Sequence, residues 1–367
     1  MTNGTTPKGI GIIGYGGFGE FLHKSWSEME EVRVVSVCDA DIRRAPGGEI
    51  KFHSCVADIL QDPAVDIISI ATPPASHKDI AIEAMRAGKH VLIEKPLALS
   101  EKDALEVKRV ADETGRVATV DFVLRHNPIV GLLDEIVSSE VFGKLRRVDL
   151  RNYAMQDTVP EGHWFWDPAV SGRIFLEHGV HFFDLASSVI KAKAVEVCSM
   201  GVDRKPGMED RVFAAVKYEN GVVGTYWHSF SRPRELETTT FHFAFDLGEI
   251  EMIGWIPLEL DIWGWTNESG LTKLEELLGE GQVVADPMDL QKAHSSEFTY
   301  EVEYDINTVV EMEEPKLDVY AECARDIMSD LVKAIDNPSY DMLVTIDDAV
   351  ESVRTAEMAT RAAHPNG

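Results

Sequence analysis

The sequence predicts an α/β protein with two domains, a doubly wound parallel sheet followed by an α+β domain built on an antiparallel sheet. Over the first third of the chain, short apolar runs alternate with helical patterns, which is typical of a parallel sheet wound with helices. After about residue 140, strand-like segments follow one another directly, and this succession predicts antiparallel pairing. The length of 367 residues agrees with two domains.

The first predicted element is a buried strand that runs into a glycine-rich turn. Its apolar run ends at residue 13 and is followed by Gly14, Gly16 and Gly19, the spacing Gly-x-Gly-x-x-Gly at the start of a helix. The first glycine permits a tight turn, the second lets a pyrophosphate approach the backbone, and the third lets the helix pack on the strand. The helix N-terminus offers N–H groups and a positive dipole end to phosphates. The turn therefore predicts a Rossmann dinucleotide site, contacted by Gly14, Gly16, Phe18 and Gly19.

The second predicted strand, Val32–Cys38, ends at an acidic residue. The carboxylate of Asp39 can accept hydrogen bonds from both ribose hydroxyls and repels a 2′-phosphate, so it favours NAD as the cofactor. Arg43 and Arg44 follow closely and could hold that phosphate instead, which leaves NADP as the alternative.

The later elements of the first domain alternate regularly. Strands are predicted at 65–71, 90–93 and 117–122, and helices at 76–87 and 100–114. Gly88 and Gly115 stand where helix C-caps belong. Ser100 is a good N-cap, with Asp103 at the third helical position.

The second domain has strand patterns and two late helices. Strands are predicted at 148–153, 195–200, 212–218, 222–228 and 239–245, and helices at 317–335 and 346–363. Asn220-Gly221 is a strong hairpin signal. Residues 266–315 are acidic and irregular and are predicted to be an insertion or a flexible excursion. The predicted division is a dinucleotide-binding domain over 1–125 and a substrate-binding and oligomerisation domain over 126–367, whose last helices pack back on the first domain.

Charge and cysteine usage exclude several classes of partner. Lys and Arg total 35 against 63 Asp and Glu, a net charge of -28, so the chain should repel nucleic acid and anionic membranes. The cysteines are far apart and form no Cys-x-x-Cys pair, which predicts reduced thiols in a cytoplasmic protein; they are Cys38, Cys55, Cys198 and Cys323. The polar N-terminus predicts neither a signal peptide nor a membrane span.

Two segments carry residues that could do chemistry. Glu94 and Lys95 follow a core strand at the carboxyl edge of the sheet, where a partly desolvated lysine could exchange a proton with a substrate hydroxyl. The alternative is an ordinary surface ion pair. Glu177 and His181 are four residues apart and share a helix face, with His178 and Asp184 at related spacings. They could form an acid that orients an imidazole, a metal site or a solvated helix face; without further ligands nearby, no metal is predicted.

Several of these motifs resemble those of the Gfo/Idh/MocA oxidoreductases. The resemblance rests on the glycine turn, residues 71–77, Glu94-Lys95-Pro96, residues 125–128 and the segment from Trp166 to His181. It implies a Rossmann domain and a C-terminal domain with an open, largely antiparallel sheet that often serves in homodimers or homotetramers.

The same resemblance implies roles for individual residues. Lys95 would be the acid/base, in a Lys–Pro bond that is often cis. Glu177 and His181 match an Asp-x-x-x-His pair, with Glu where Asp is usual. The matching positions that usually line the nicotinamide side of the cofactor are Thr72, Pro73 and His77, with Glu94 and Lys95 nearby.

The flanking residues have open alternatives. Arg125 and Asn127 either contact cofactor or substrate or only join the domains. Trp164 and Trp166 either wall a sugar-sized pocket or belong to the core. The resulting prediction is NAD(P)-dependent hydride transfer at a secondary hydroxyl of a sugar, cyclitol or related polyol. The alternatives are a non-catalytic NAD(P)-binding sensor and a dehydrogenase of a non-sugar such as a dihydrodiol.

In the predicted reaction Lys95 takes the hydroxyl proton, His181 hydrogen-bonds the same oxygen or relays its proton, and Glu177 steers His181.

Overall fold

The computed structural model describes residues 6–155 and 159–365, which divide into two compact units. The first unit contains the described residues up to His126, together with Glu161–Asp184 and Leu317–Thr360, and the second unit contains the rest. This division differs from the predicted contiguous stretches 1–125 and 126–367. The return of Leu317–Thr360 to the first unit corresponds to the last helices, which were expected to pack there, whereas the return of Glu161–Asp184 was not predicted from the sequence.

The sheet of the first unit is parallel throughout and has six strands in the order β3-β2-β1-β4-β5-β6. Its strands are β1 Lys8–Ile13, β2 Val32–Cys38, β3 Lys51–His53, β4 Ile67–Ile70, β5 His90–Ile93 and β6 Ala118–Val120. This is the strand order of a Rossmann domain, and it confirms the predicted fold class.

Ten α-helices are present among the described residues. In chain order they are α1 Gly17–Trp26, α2 Val56–Leu60, α3 His77–Arg86, α4 Glu101–Thr114, α5 Pro128–Ser139, α6 Pro168–Ser171, α7 Val180–Ile190, α8 Glu268–Leu278, α9 Lys316–Asp336 and α10 Ile346–Ala363. The predicted cap of α4 is present, since the Ser100 hydroxyl accepts a hydrogen bond from the Asp103 amide. Gly115 ends that helix at φ +63°.

One hydrophobic core in the first unit joins β1 and β2 to α1 and α9. Trp26 of α1 is 1% exposed, and its indole N–H donates to the Ala324 carbonyl of α9 at 2.9 Å. Ile327 and Leu331 of α9 are buried in the same core. Burying a large apolar side chain stabilises a fold by about 1.5–3 kcal/mol. Helix α9 is therefore an integral layer of the Rossmann domain.

The second unit is built on a nine-stranded sheet in the order β14-β17-β13-β12-β11-β7-β10-β9-β8. Its strands, with those of a separate β15-β16 ribbon, are β7 Leu145–Met155, β8 Ala194–Lys205, β9 Met208–Tyr218, β10 Val223–Arg232, β11 Thr238–Phe245, β12 Gly248–Ile253, β13 Glu259–Thr266, β14 Ala285–Pro287, β15 Lys292–His294, β16 Thr299–Glu301 and β17 Tyr304–Glu311. Strands β7 and β10 pair in parallel and the other neighbours are antiparallel. The predicted, largely antiparallel second sheet is confirmed.

The prediction of an irregular segment over 266–315 is wrong. That stretch contains the end of β13, helix α8 and the four strands β14 to β17. Strands β14, β15 and β16 have only three residues each and are largely exposed, so they carry no hydrophobic alternation to detect. Their pairing is a tertiary effect.

The cysteines form no disulfide in the structure; Cys38 and Cys323 are buried, whereas Cys55 and Cys198 are exposed. Within residues 6–155 and 159–365, none of the helices has the length and apolar character required to span a bilayer.

Candidate active site

The glycine turn after β1 has the geometry that a dinucleotide pyrophosphate requires. Gly14 has φ +92°, and a Cβ there would lie 2.4 Å from the Ala71 carbonyl oxygen. A Cβ at Gly19 would lie 2.3 Å from the Gly14 oxygen, so α1 can approach β1 only without that side chain. Helix α1 begins at Gly17 with no side-chain cap, which leaves its first amides directed at a phosphate position. The turn therefore fits the cofactor that its sequence predicts.

Asp39 lies at the end of β2, beside this turn. Its carboxylate accepts hydrogen bonds from the amides of Tyr15 at 2.9 Å and Asp41 at 2.8 Å. The Arg44 guanidinium lies 3.3 Å from the same carboxylate. A carboxylate has about four acceptor positions, so Asp39 keeps capacity for a ribose hydroxyl.

A cavity of about 420 Å³ opens between one side of α1 and residues 43–46. The Tyr15 hydroxyl and His23 Nδ1, 2.6 Å apart, line part of it, and Arg43 and Arg44 line another part. The exposed guanidinium of Arg43 forms a bidentate pair with Asp41. The Arg44 guanidinium lies so close to Gly16 that a Cβ on that glycine would be 2.6 Å from it. Arg44 therefore reaches the glycine turn, and the predicted cofactor contact of Arg43 stays a prediction.

Lys95 follows β5 at the carboxyl edge of the same sheet, and its bond to Pro96 is cis. Its ammonium group donates to Glu177 twice, to the carboxylate Oε1 and to the backbone carbonyl, both at 2.8 Å. The two side chains are 15% and 11% exposed, so the ion pair is largely withdrawn from water while an edge of it stays accessible.

Glu177 belongs to a single π-helical turn, Phe175–Gly179, that continues into α7. A π-turn displaces the backbone hydrogen bonds from the α-helical register and is frequent at functional sites. Here the Glu177 carbonyl accepts a bond from Lys95, which is 82 residues away in the chain. This contact differs from the predicted one, in which the Glu177 carboxylate steers His181.

His178 and His181 are close enough to Lys95 to be influenced by its charge. Burial, followed by the charges of Lys95 and His178, lowers the pKa of His181 well below its ordinary value. Burial and Lys95 lower the pKa of His178 to about 3. Both imidazoles are therefore neutral near pH 7, and His181 can act as a hydrogen-bonding group without carrying charge.

His77 is fully buried, and its predicted contact with the cofactor stays a prediction. Its Nδ1 lies 2.7 Å from the Pro96 carbonyl oxygen and its Nε2 lies 2.7 Å from the Thr72 carbonyl oxygen. The ring thus joins the segment after β4 to the segment that carries Lys95. Thr72 is partly exposed and Pro73 is exposed, and their predicted contacts with the cofactor stay predictions.

Arg125 and Asn127 are engaged in structural contacts. The Arg125 guanidinium makes two 2.7 Å bonds to Asp184 and a 3.2 Å bond to the Leu343 carbonyl. The Asn127 side chain caps α5 at the Ile129 amide and is 2% exposed. These bonds favour the structural alternative over the predicted contact with cofactor or substrate.

Trp164 and Trp166 lie on one 3-10 turn and are both half-buried. The ring of Trp164 lies 5.0 Å from that of His163, and Trp166 meets buried Phe165 edge-on at 4.8 Å. Neither is a fully buried core residue, and a role in binding a substrate ring stays a prediction for both.

Sequence reasoning missed Asp121, which directly follows β6 and meets Glu94 at the sheet edge. A signal existed, because Asp39, Glu94 and Asp121 each stand at the first position after a parallel strand. Among the described residues, no cluster of three or more His, Cys, Asp or Glu side chains could hold a metal ion.

The first unit has the Rossmann strand order and a glycine turn that fits a dinucleotide pyrophosphate. At the carboxyl edge of its sheet lies the largely buried Lys95 amine. These features are typical of a dinucleotide-dependent oxidoreductase. Two family models match the chain: the oxidoreductase family with an NAD-binding Rossmann fold over residues 8–122, and the GFO/IDH/MocA C-terminal domain over residues 131–251. The chain belongs to the Gfo/Idh/MocA family, and its cofactor class is NAD.

Named relatives cover several substrates. The scyllo-inositol 2-dehydrogenase (NAD(+)) of Bacillus subtilis (strain 168) is 26% identical over 235 residues, covering 60% of this chain and 67% of that protein. The 1-carboxy-3-chloro-3,4-dihydroxycyclohexa-1,5-diene dehydrogenase of Comamonas testosteroni is 23% identical over 302 residues, covering 80% of this chain and 70% of that protein. Alignments with curated relatives commonly span about half to two thirds of the relative's length.

Among solved structures, a levoglucosan dehydrogenase in complex with NADH and levoglucosan superposes with a TM-score of 0.76 at 18% identity, and the match covers 98% of both chains. At this identity the likeness is one of fold.

Proposed function

We propose that the protein is an NAD-dependent dehydrogenase that acts on a secondary hydroxyl of a sugar, cyclitol or related polyol. The observation that carries the proposal is the Lys95 amine, held by Glu177 at the carboxyl edge of a sheet whose glycine turn fits a dinucleotide. Ligands of doubly wound folds bind at that edge. The scyllo-inositol dehydrogenase among the relatives supports a cyclitol or sugar substrate.

Each polar group of the site then has a chemical task. Bound NAD supplies the hydride acceptor. Lys95, in its neutral form, accepts the hydroxyl proton as the C–H bond breaks, and the Glu177 carboxylate stabilises the ammonium group that results. Neutral His181 hydrogen-bonds the reacting oxygen. In ketone reduction the same proton returns from the Lys95 ammonium group to the oxygen.

The test is the Lys95→Met variant, which keeps the length of the side chain and removes the amine. We expect turnover to fall by about 10²–10⁴-fold, the usual contribution of a general acid/base, while NAD still binds. Lys78→Met, a surface lysine paired with Asp103 on α4, is the matched control and should turn over normally. Turnover within a few-fold of wild type in Lys95→Met would mean that Lys95 is not the acid/base.

A second substrate class is supported by the Comamonas testosteroni relative, whose name describes a dihydroxycyclohexadiene. Oxidation of a ring diol uses the same proton acceptor and the same hydride transfer. A panel of inositols, aldoses, anhydrosugars and cyclohexadiene diols, followed by NADH absorbance, separates the two classes. NAD binding without turnover on any of them would point to the sensor alternative.

We also infer that the protein is a cytoplasmic homodimer or homotetramer that associates through the nine-stranded sheet. Support comes from the edge strand β8, where Met200 at 61% and Val202 at 44% are exposed on one face. The exposed thiols of Cys55 and Cys198 suit a reducing compartment. Light scattering after size exclusion should give a dimer or larger mass for wild type and a smaller mass for Met200→Glu; a wild-type monomer would refute the inference.

A further inference from the structure

Two carboxyl groups meet at the sheet edge next to Lys95. Glu94 directly follows β5 and Asp121 directly follows β6, its neighbour in the parallel sheet. The Asp121 amide donates to the Ile93 carbonyl at 2.8 Å, which continues the sheet register by one residue. This register places the two side chains next to each other at the sheet edge, close enough for the charge of Asp121 to act on Glu94.

Three of the four carboxyl oxygens of the pair are buried. Asp121 is 3% exposed, and the Glu94 Oε1 and both Asp121 carboxyl oxygens are inaccessible to solvent. Within residues 6–155 and 159–365, no N–H or hydroxyl group donates a hydrogen bond to these three oxygens. Two ionised carboxylates in contact repel each other and each loses its hydration, so such pairs retain a proton between them.

The groups that face the pair reinforce this conclusion. Burial, joined by the charge of Asp121, raises the pKa of Glu94 well above its ordinary value, and burial raises that of Asp121. Tyr320 and Cys323 approach from α9, and burial raises the pKa of both, so they add no charge near pH 7. Lys95 acts in the opposite direction, since its charge lowers the pKa of both carboxyl groups.

We propose that Glu94 and Asp121 share one proton at neutral pH and present a single negative charge to Lys95. The pair titrates as a unit, so the charge belongs to neither residue alone. A single negative charge on the pair stabilises the ammonium group that forms when Lys95 accepts a proton. Two negative charges on the pair would stabilise that ammonium group more strongly and hinder release of the proton. This positioning role rests on the proposed dehydrogenase function, whereas proton sharing itself does not.

Infrared spectroscopy of the cofactor-free protein tests proton sharing without any turnover. At pH 8 wild type should show the C=O stretch of one buried carboxylic acid, which shifts in D₂O. Asp121→Asn and Glu94→Gln, both near-isosteric, should each abolish it. The Asp184 pKa, raised to about 6 by burial, leaves that residue ionised at pH 8. Asp330→Asn, which changes a buried carboxylate that accepts bonds from Tyr340 and Leu343, is the control and should keep the band.

Absence of the band in wild type, or its survival in both single variants, overturns the proposal. The wild-type spectrum in H₂O and D₂O decides the question even if a variant fails to fold.

The charge presented to Lys95 is tested with the double variant Glu94→Gln/Asp121→Asn. Removing the negative charge makes an ammonium group less favourable, so the acid limb of the kcat/KM profile should move to lower pH. An unmoved limb in a folded variant overturns the role assigned to the pair. If Lys95→Met retains turnover while the infrared band is present in wild type, the acid/base role of Lys95 fails and proton sharing stands; wild type that binds NAD and turns over no substrate overturns the proposed function and leaves proton sharing intact.

Discussion

The Lys95 amine has two acceptors, and both come from Glu177. The backbone carbonyl cannot be removed by substitution, so a change at Glu177 removes the charge and leaves the amine partly positioned. The carboxylate is the part that responds to proton transfer, because a hydrogen bond between charged groups is roughly twice as strong as a neutral one. Substitution of Glu177 should therefore lower turnover by a different factor from substitution of Lys95.

For Glu177→Gln, we expect kcat to fall by roughly tenfold or more, but by less than in Lys95→Met. The amide keeps an acceptor oxygen for the amine but no longer stabilises an ammonium group. Steady-state kinetics across pH measures this, and the acid limb should shift to lower pH. Glu83→Gln, an exposed acid on α3, is the control. A fall in Glu177→Gln as large as that in Lys95→Met would mean that the charge, rather than the amine, carries catalysis.

For Asp39→Ser, we expect weaker NAD binding and an increase of about tenfold in the relative affinity for NADP, equivalent to about 1.4 kcal/mol. The carboxylate no longer repels a 2′-phosphate, and Arg44 loses its partner and can pair with that phosphate. Quenching of protein fluorescence by each reduced cofactor measures the ratio. Asp41→Ser, which removes the partner of Arg43, is the control. An unchanged ratio in Asp39→Ser would place the ribose away from β2.

At the scale of elements, the sequence pattern was sufficient for the Rossmann strands other than the three-residue β3, because they are continuous apolar runs. It was also sufficient for α9 and α10, which each bury one apolar face. The sequence pattern was insufficient for β14, β15 and β16, because these strands are short and exposed and gain their stability from the strands they pair with. The candidate site divides in the same way. The positions of Asp39 and Lys95 after strands follow from sequence, whereas the pairing of Lys95 with Glu177 across 82 residues depends on the tertiary fold.

The packing of β2, β3 and α2 depends on one buried carboxylate. Burial opposes ionisation of Asp62, but bonds from the Ala64 amide, the Ser36 hydroxyl and the Lys51 ammonium group outweigh it and hold the pKa of Asp62 at about 2. The depressed pKa stabilises the fold fully above the unfolded pKa of about 4. That contribution is lost as pH falls through the folded pKa.

For Asp62→Asn, we expect the free energy of unfolding at pH 7 to fall by about 2 kcal/mol. The deficit should narrow as pH falls toward 2, because wild-type Asp62 then becomes protonated as well. Urea unfolding at pH 7 and at the lowest pH that retains the native fold measures it. Asp58→Asn, an exposed acid on α2, is the control. An equal deficit at both pH values would assign the loss to packing rather than to charge.

At the scale of the whole molecule, the net charge of -28 is a global contribution to stability that no pair of residues carries. Local ion pairs such as Arg125 with Asp184 are buried and are little affected by salt. Repulsion among the remaining surface acids acts over longer distances and favours the expanded chain. Ionic strength should therefore separate the two contributions.

Raising NaCl from about 0.01 M to 0.15 M shortens the Debye length from about 30 Å to 8 Å and should raise Tm at pH 7.5. Each kcal/mol of relieved repulsion corresponds to about 1–2 °C in a chain of this size. Differential scanning calorimetry measures the shift, with the same salt series at the sequence pI of about 4.7 as the control, since the net charge is then near zero. A Tm that falls with salt at pH 7.5 would show that attractive surface pairs, rather than net repulsion, dominate the long-range electrostatics.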